Sequence, residues 1–480
     1  ASTLRLRGAM DIRHVVVLML ENRSFDCILG MLYAKGPGFD GLSGAESNIW
    51  HCPDGTQQII RVWNDPTVTP RALCIPDPDP GELFTDMQVQ LYGLAGIGPL
   101  ETGPTMSGFV DNYMRQPVTR PPPDPYSVMH YFVPAQVPVI SELARAFAVS
   151  DRWHASAPCQ TWPNRFFAHT ATAAGYVNNS PTHFPYLMET VFNRLESKGK
   201  SWQIYFNDTP QSVTLTRLWG DLITHFRHFD SDFARDAAAG GLPAYSFIEP
   251  RYFPDVLLNK MPSDEHPPHN VAYGEELIAA VYNAVRNGPG WRHTLLVITY
   301  DEHGGCFDHV PPPTAVPPGG PSPDGFSFNR FGVRVPAVIV SPYARPGSVA
   351  RPPGATPFDH TSIIATLRKL FGFEPLTARD AAAPDLLSVL DAEPTNDGPA
   401  SLAAPAVAPA PEQVARVAAQ PPNDLQKSLG AAAMLLPTMG ANIGAHLERL
   451  NSVPDPVPGH PTAAAAAADV AAHMKAFLGR

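Results

Sequence analysis

Two pairs of oxygen-bearing side chains, far apart in the chain, have the residue types of a cation site. Glu21–Asn22 directly follows the apolar run Val15–Leu20, and Asp301–Glu302 directly follows a second apolar run, Leu295–Tyr300. Carboxylate and amide oxygens are hard donors of the kind that Mg²⁺, Ca²⁺ and Mn²⁺ prefer. The four side chains therefore predict one shared divalent cation, provided that the fold brings the two pairs together.

The two apolar runs are the elements that must position these side chains. Unbroken β-branched and aliphatic residues are typical of strands that are buried on both faces of a parallel sheet. In open α/β sheets, ligands bind just beyond the carboxyl ends of the strands, which is where both pairs stand. Gly304 and Gly305 allow the backbone to turn sharply directly after the second pair.

A third stretch, Thr161-Trp162-Pro163-Asn164-Arg165, has the pattern of a helix start. Threonine is a favoured N-cap, and proline is tolerated in the first helical turn. We therefore expect Thr161 at the mouth of a helix, where free N–H groups and the helix dipole favour an anion. The pattern leaves two roles open for this hydroxyl, a helix cap and a nucleophile that faces a bound anion.

Alternating strand-like and helix-like segments predict the fold class. Strand patterns at 147–150, 201–206, 245–248 and 334–341 alternate with helical patterns at 139–147, 189–198, 230–239, 273–286 and 363–371. This alternation predicts an α/β fold over residues 1–390, with a mostly parallel sheet sandwiched by helices.

Irregular segments interrupt and follow this pattern. Residues 31–126 are rich in Pro and Gly, with short helical patterns at 82–92 and 107–115, and so long an insertion usually covers or lines a site. From residue 391 the composition shifts to Ala and Pro. We interpret 391–422 as a linker or surface arm, and 423–480 as a helical C-terminal extension.

Composition excludes some classes of function. The 480 residues include 34 basic and 45 acidic side chains, a net charge of −11, which argues against nucleic acid as the main partner. The apolar runs are too short to span a membrane, which still permits transient contact with a membrane surface. No apolar or Arg-rich leader opens the chain. Of five cysteines, Cys52 and Cys74 lie in a loop-like region where a bridge would form only in an exported protein.

Taken in chain order, the motifs resemble the bacterial phosphoesterase family of the acid phosphatase A and non-haemolytic phospholipase C type, a branch of the alkaline-phosphatase superfamily. The motifs that carry the resemblance span roughly residues 12–372 and are Glu21-Asn22-Arg23-Ser24-Phe25-Asp26, Met106-Ser107-Gly108-Phe109-Val110, Thr161-Trp162-Pro163-Asn164-Arg165, His266-Pro267-Pro268, Tyr300-Asp301-Glu302-His303-Gly304-Gly305, Asp308-His309-Val310 and Asp359-His360-Thr361-Ser362. The sequence departs from many relatives in two places, where Cys306-Phe307 replaces two aromatics and Thr105 replaces a histidine.

The resemblance implies a ligand set and a group of phosphate-binding histidines. It implies a single metal held by the side chains of Glu21, Asn22, Thr161, Asp301 and Glu302. The histidines that it places around the phosphate are His266 and His360, followed by His154 and His228. An all-oxygen set favours Mg²⁺, Ca²⁺ or Mn²⁺, whereas Zn²⁺ more often recruits His or Cys. The resemblance also implies a periplasmic or secreted location, although a cytoplasmic one is compatible with this sequence.

These roles together give a hypothesis for the chemistry. A phosphoric ester is cleaved through a covalent phospho-threonine at Thr161, whose hydroxyl is a weak nucleophile until a cation activates it. Asn22 and the helix N-terminus stabilise charge on the phosphoryl oxygens. His266 or His360 protonates the leaving alkoxide and then activates water. Arg165 either fixes the nucleophile turn or pairs with the phosphate, and the plainer interpretation is an ordinary helix surface residue.

Several functions are compatible with this hypothesis. The leading one is a phospholipase C-like phosphodiesterase that acts on a small phosphoester or a phospholipid. A phosphomonoesterase of the acid phosphatase type would use the same site, and the pocket-building segments 31–126 and 311–330 would separate the two. Sulfatases share the x-Pro-x-Arg spacing but need Cys or Ser in the place of Thr161. A non-catalytic, metal-stabilised binding protein would keep the acids but would have no use for this threonine. The sequence makes no prediction of oligomeric state.

Overall fold

The computed structural model describes residues 10–96, 103–117, 123–180, 183–184, 186–405, 407–450 and 459–479. The strands are β1 (His14–Leu20), β2 (Ser47–His51), β3 (Gln57–Arg61), β4 (Ala148–Val149), β5 (Trp202–Phe206), β6 (Phe226–His228), β7 (Tyr245–Glu249), β8 (Thr294–Tyr300), β9 (Ala337–Val340) and β10 (Ser348–Val349). The helices are α1 (Phe25–Leu29), α2 (Phe84–Tyr92), α3 (Phe109–Met114), α4 (Pro138–Ala146), α5 (Thr161–Thr170), α6 (Val191–Ser197), α7 (Leu222–His225), α8 (Ala234–Ala238), α9 (Val271–Asn287), α10 (Thr361–Phe371), α11 (Ala378–Ala382), α12 (Pro411–Ala418), α13 (Asp424–Met434), α14 (Ile443–Leu450) and α15 (Ala463–Leu478).

One mixed sheet organises the described residues. Its eight strands lie in the order β10-β4-β9-β8-β1-β7-β5-β6. β9 runs antiparallel to its neighbours β4 and β8, and the remaining neighbours run parallel to one another. The predicted α/β class with a mostly parallel sheet is therefore confirmed.

β1 lies near the middle of this sheet, between β8 and β7. Every residue of Val15–Leu20 is buried, and the same holds for all of β7 and β8. Successive side chains of a strand point to opposite faces, so complete burial means that both faces are covered. The covering helices form two sets, with α4 and α8 packed on α9, and α6 and α10 packed on α5.

The register between β1 and β8 aligns the two strand tips. Leu20 pairs with Tyr300, and the N–H of Asp301 donates to the carbonyl of Leu20 at 3.1 Å. Glu21 and Asp301 are thus the first residues beyond the sheet on neighbouring strands. Gly304 then turns the chain back over Asn22 with a φ of +59°.

The insertion and the C-terminal extension both contain regular secondary structure. Residues 31–126 contain the β2–β3 hairpin together with α2 and α3. In the extension, α13 packs against α15, and Leu429, Val470 and Phe477 belong to the same hydrophobic core as the sheet. α13 and α15 of the extension are therefore packed on the sheet core. All five cysteines are free, Cys52 and Cys74 included. Within the described residues, no helix combines the length and apolar character needed to cross a membrane.

Candidate active site

Thr161 lies at the start of α5 and faces the end of β1. Gln160 occupies the N-cap position, so Thr161 is the first helical residue rather than the cap. Its hydroxyl is fully buried, 3.2 Å from Glu21 Oε2 and 3.3 Å from Asn22 Oδ1. The structure thus brings together two motifs that are far apart in the sequence.

The N-terminus of α5 offers few free donors. The N–H of Trp162 donates to Asn179 Oδ1 at 2.7 Å, and Pro163 has no N–H. An anion at this position would therefore interact mainly with the helix dipole and with the Thr161 side chain, because the next donors are engaged or absent.

Arg165, one turn further along α5, holds the carboxylate of Glu21. The side chain of Arg165 is 2% exposed, so it is not a surface residue, and its Nη2 donates to Glu21 Oε1 at 2.5 Å. Its Nε lies 3.8 Å from Asp301 Oδ2. Burial raises the pKa of Glu21 well above its usual range, Arg165 opposes this increase, and Asp301 adds to it. Arg165 therefore contacts the acid cluster, which consists of the carboxylates of Glu21, Asp301 and Glu302.

The second acid pair retains buried oxygen atoms that accept no hydrogen bond from the described residues. Asp301 Oδ1 accepts the N–H groups of Asn22 at 3.0 Å and of Glu302 at 2.7 Å. Among the described residues, Asp301 Oδ2 and Glu302 Oε1 are buried without a hydrogen bond. Burial raises the pKa of Glu302, and Glu82 and Asp301 raise it further. Two bare, buried carboxylate oxygens are costly unless a positive group lies between them.

The donor set and its charge fit a divalent cation. Arg165 pairs with Glu21 and lies 3.8 Å from Asp301, so its one positive charge offsets only part of the charge on Glu21, Asp301 and Glu302 when all three are ionised. The oxygen-only chemistry of these acids with Asn22 suits Mg²⁺, Ca²⁺ or Mn²⁺ better than Zn²⁺. The residue types therefore suit the predicted metal, and the neighbouring side chains of Asp79, Glu82 and His266 offer ligand atoms that lie within 4.8 Å of one another.

His266 lies on the far side of the Asn22 amide from Thr161. Its Nε2 is 3.1 Å from Asn22 Nδ2 and 3.3 Å from Glu82 Oε1, while its Nδ1 is 3.7 Å from Asp79 Oδ1. Burial alone would lower the pKa of His266, but the carboxylates of Glu82 and Asp79 raise it well above its usual value. The environment therefore favours an imidazolium that can donate a proton.

The other predicted histidines have different surroundings. His360 donates from Nε2 to the carbonyl of Asp301 at 2.6 Å and accepts from Trp153 at Nδ1, so both of its ring nitrogens are engaged. His154 contacts Gly332 and Phe331 instead of the Thr161 cluster, and burial lowers its pKa to about 3. His228 ends β6 beside the ring of Phe206. The structure thus places His266 and His360 at the acid cluster.

Sequence reasoning missed Glu82, Asp79 and Gln211. Glu82 accepts a 2.6 Å hydrogen bond from Asn22 Nδ2, and Gln211 Nε2 donates to Glu21 Oε1 at 2.7 Å. The two acids lie in a Pro-rich run within the insertion that the sequence predicts to line a site. Acidic side chains in such a segment could have been recognised as candidate site residues. No pattern in the sequence singles out Gln211.

A second acidic motif has a different role. Arg334 is buried and pairs with Asp26 and Asp308, each at 3.0 Å. His309 lies 2.6 Å from Asp26 through Nδ1. These acids already have cationic partners, so the network ties α1 to the loop after β8.

Comparison with known proteins supports the same assignment. The model of the Phosphoesterase family matches residues 12–374. Non-specific phospholipase C6 of Arabidopsis thaliana is 40% identical over 416 residues, which cover 83% of this chain and 76% of that protein. Phospholipase C A of Mycobacterium tuberculosis is 30% identical over 460 residues, which cover 84% of this chain and 82% of that protein.

The similarity to solved structures is more remote. A protein of the alkaline phosphatase superfamily from Vibrio parahaemolyticus matches with a TM-score of 0.33 and 14% identity, covering 52% of this chain and 64% of that chain. The family match, by contrast, spans well over half of the sequence and all of the residues gathered around Thr161. The chain therefore belongs to the Phosphoesterase family, and it is a hydrolase of phosphoric ester bonds.

Proposed function

We propose that this enzyme is a metal-dependent phosphodiesterase of the phospholipase C type, which acts through a phospho-threonine at Thr161. The observation that carries the proposal is the position of the Thr161 hydroxyl, 3.2 Å from Glu21 and 3.3 Å from Asn22. Asp301 Oδ2, which lies 3.8 Å from Arg165, and Glu302 Oε1 are buried without a hydrogen bond, as expected of oxygens that await a cation. The names of the two relatives favour a phospholipid as the substrate.

The first step transfers the phosphoryl group to the protein. A bond forms between Thr161 Oγ1 and phosphorus, and the bond from phosphorus to the ester oxygen breaks. The Thr161 proton leaves toward Glu21 Oε2, which accepts its hydrogen bond. His266, as an imidazolium, protonates the departing alkoxide. Arg165 keeps Glu21 in place through their 2.5 Å contact.

The second step restores the enzyme. Water attacks phosphorus and gives a proton to the now neutral His266, and the bond between phosphorus and Thr161 Oγ1 breaks as the hydroxyl regains its proton. A divalent cation held by Glu21, Asn22, Thr161, Asp301 and Glu302 would supply positive charge that lowers the hydroxyl pKa and offsets charge on the phosphoryl oxygens.

The decisive variant is Thr161→Ala, with Thr67→Ala as an exposed control. We expect Thr161→Ala to lower turnover of nitrophenyl phosphocholine by about 1,000-fold or more, because the nucleophile is lost. Divalent cation binding, measured by calorimetry, should persist in this variant. Acid quenching of the wild-type enzyme during turnover of this diester should show one added phosphocholine group by intact mass, because only the bond to nitrophenol has broken.

Two results would contradict parts of this proposal. Turnover that survives Thr161→Ala, or that is unchanged by a chelator, would exclude the phospho-threonine or the metal, respectively. Faster turnover of nitrophenyl phosphate than of nitrophenyl phosphocholine would instead favour the acid phosphatase type of reaction at the same residues.

A further inference from the structure

A short hairpin between β7 and His266 holds three aliphatic side chains in solvent. Val256, Leu257 and Leu258 are 53%, 96% and 62% exposed. Among the described residues, no other run of three consecutive large hydrophobic side chains is exposed in this way. An exposed apolar cluster of this kind marks a contact with something outside the chain.

The hairpin is held in this shape by its own hydrogen bonds. Asp255 and Lys260 exchange backbone hydrogen bonds of 2.8 and 2.9 Å, and the N–H of Leu258 donates to Asp255 Oδ1 at 2.9 Å. Asn259, with a φ of +51°, anchors the turn by donating to the carbonyl of Pro409 at 2.8 Å. The exposure is therefore a property of an ordered turn.

Both ends of the hairpin segment are fixed at the active-site edge of the sheet. On one side, the ring of Tyr252 lies 5.9 Å from the guanidinium of Arg165. On the other side, the carbonyl of Asp264 accepts the N–H of Glu21 at 2.8 Å, two residues before His266. The segment that carries the hairpin tip, Val256–Leu258, thus begins and ends at the same edge of the sheet as the reacting groups.

The small area of the exposed tip, Val256–Leu258, indicates which kind of partner it can bind. A stable protein interface takes about 800 Å² from each side, far more than three side chains expose. Insertion into a lipid surface needs no complementary shape, only aliphatic side chains that reach the boundary between headgroups and acyl chains. The polar residues Asp255, Asn259 and Lys260 flank the tip and suit the headgroup layer.

We propose that Val256, Leu257 and Leu258 insert into the surface of a phospholipid bilayer and dock the enzyme with its active-site edge toward the lipid. The benefit for turnover rests on the proposed phospholipase C activity, because the docked site would face its substrate. Docking itself depends only on the exposed tip, so binding and turnover can be tested separately.

The first experiment is sedimentation of the full-length protein with phosphatidylcholine vesicles in the presence of a chelator. We expect Leu257→Ser with Leu258→Ser to weaken partition by about tenfold or more, because two leucine side chains are removed from the lipid. The control, Ile59→Ser with Val68→Ser, removes two side chains that are each 64% exposed elsewhere and should bind as the wild type does.

The second experiment locates the inserted residue directly. Tryptophan emission from Leu257→Trp should shift to the blue on vesicles and be quenched by brominated lipid, whereas Ile59→Trp should show neither change. Turnover of a water-soluble nitrophenyl ester should be equal in the wild type and in the leucine-to-serine double variant, which shows that the site is intact.

Three results would overturn the proposal. The first is that the wild-type protein does not sediment with the vesicles. The second is that the hairpin double variant and the control double variant bind the vesicles equally. The third is that the hairpin substitutions leave vesicle binding unchanged and alter only the molecular mass of the protein in solution, measured by light scattering. The last result would make the tip a contact between protein chains. If the wild-type protein binds vesicles but hydrolyses no phosphoester, the proposed function is contradicted and the docking proposal is not.

Discussion

At the scale of single residues, the charge balance around Glu21 decides what the site can hold. Arg165 is buried with Glu21 and near Asp301, and it compensates only part of their charge. A buried carboxylate without a partner protonates or recruits a cation. Asn22 joins this cluster to His266 and Glu82, because its amide contacts both. The tip of β1 therefore supplies two of the proposed metal ligands, Glu21 and Asn22, and the contact to the proposed proton donor.

The variant Arg165→Ala tests this balance. Without divalent cations we expect it to lower the free energy of unfolding by about 3–5 kcal/mol, because Glu21 is left buried and unpaired. The measurement is urea denaturation in a chelator. Arg13→Ala is the control, since the Arg13 side chain is 60% exposed in its pair with Asp11 and its loss should leave the free energy of unfolding nearly unchanged. Equal losses in the two variants would contradict the role given to Arg165.

At the scale of elements, two strand tips and one helix start form the site. The parallel register of β1 and β8 aligns Glu21 with Asp301, and α5 brings Thr161 to Glu21 and Asn22. The turn after β8 then approaches the turn after β1 very closely. A Cβ on Gly304 would lie 2.3 Å from the carbonyl oxygen of Asn22, which no side chain tolerates. The spacing between the tips therefore depends on this glycine.

The variant Gly304→Ala should push the two tips apart. We expect turnover to fall about 100-fold or more and cation affinity to fall with it, since small misplacements of reacting groups cost about this much. Gly319→Ala is a matched control, because Gly319 also has positive φ, at +87°, but nothing lies within 4 Å of its Cβ position. Activity assays and calorimetry on both variants separate the clash from backbone strain. Similar losses in the two would show that the close approach is unimportant.

At the scale of the whole molecule, the C-terminal extension is part of the packed body. Phe477 is 6% exposed and its ring centre lies 5.6 Å from that of Trp219. Gln426 Nε2 donates to the carbonyl of Tyr252, the residue that lies beside Arg165. The extension thus supports the segment that leads to the exposed hairpin, although it supplies no residue to the acid cluster in the described part of the chain.

The variant Phe477→Ala should therefore destabilise the entire protein. We expect a loss of about 3–5 kcal/mol in the free energy of unfolding, the usual cost of removing a buried aromatic ring. Met434→Ala, at a side chain that is 44% exposed, should change it by about 0.5 kcal/mol or less. Urea denaturation followed by circular dichroism gives both values. A single transition that does not move in Phe477→Ala would mean that the extension folds apart from the sheet.

Much of the fold was predictable because the main strands can be recognised from their local sequence pattern. Val15–Leu20 and Leu295–Tyr300 are continuous runs of mainly aliphatic and β-branched residues, which are typical of strands covered on both faces. The contact between Glu82 and Asn22 could not be predicted in this way. Glu82 lies in a Pro-rich insertion whose sequence has no periodicity. The path of its backbone therefore depends on packing against the rest of the molecule.

The sequence by itself determined where the strands end and where α5 begins, because apolar runs, turn residues and helix-start residues act over a few neighbours. It therefore placed Glu21, Asp301 and Thr161 at element ends. Only the tertiary structure decided which of these ends meet. The register of β1 with β8 and the approach of Glu82 depend on contacts between distant residues, and so do the two hydrogen bonds that engage His360. Such contacts are set by the packing of the whole chain.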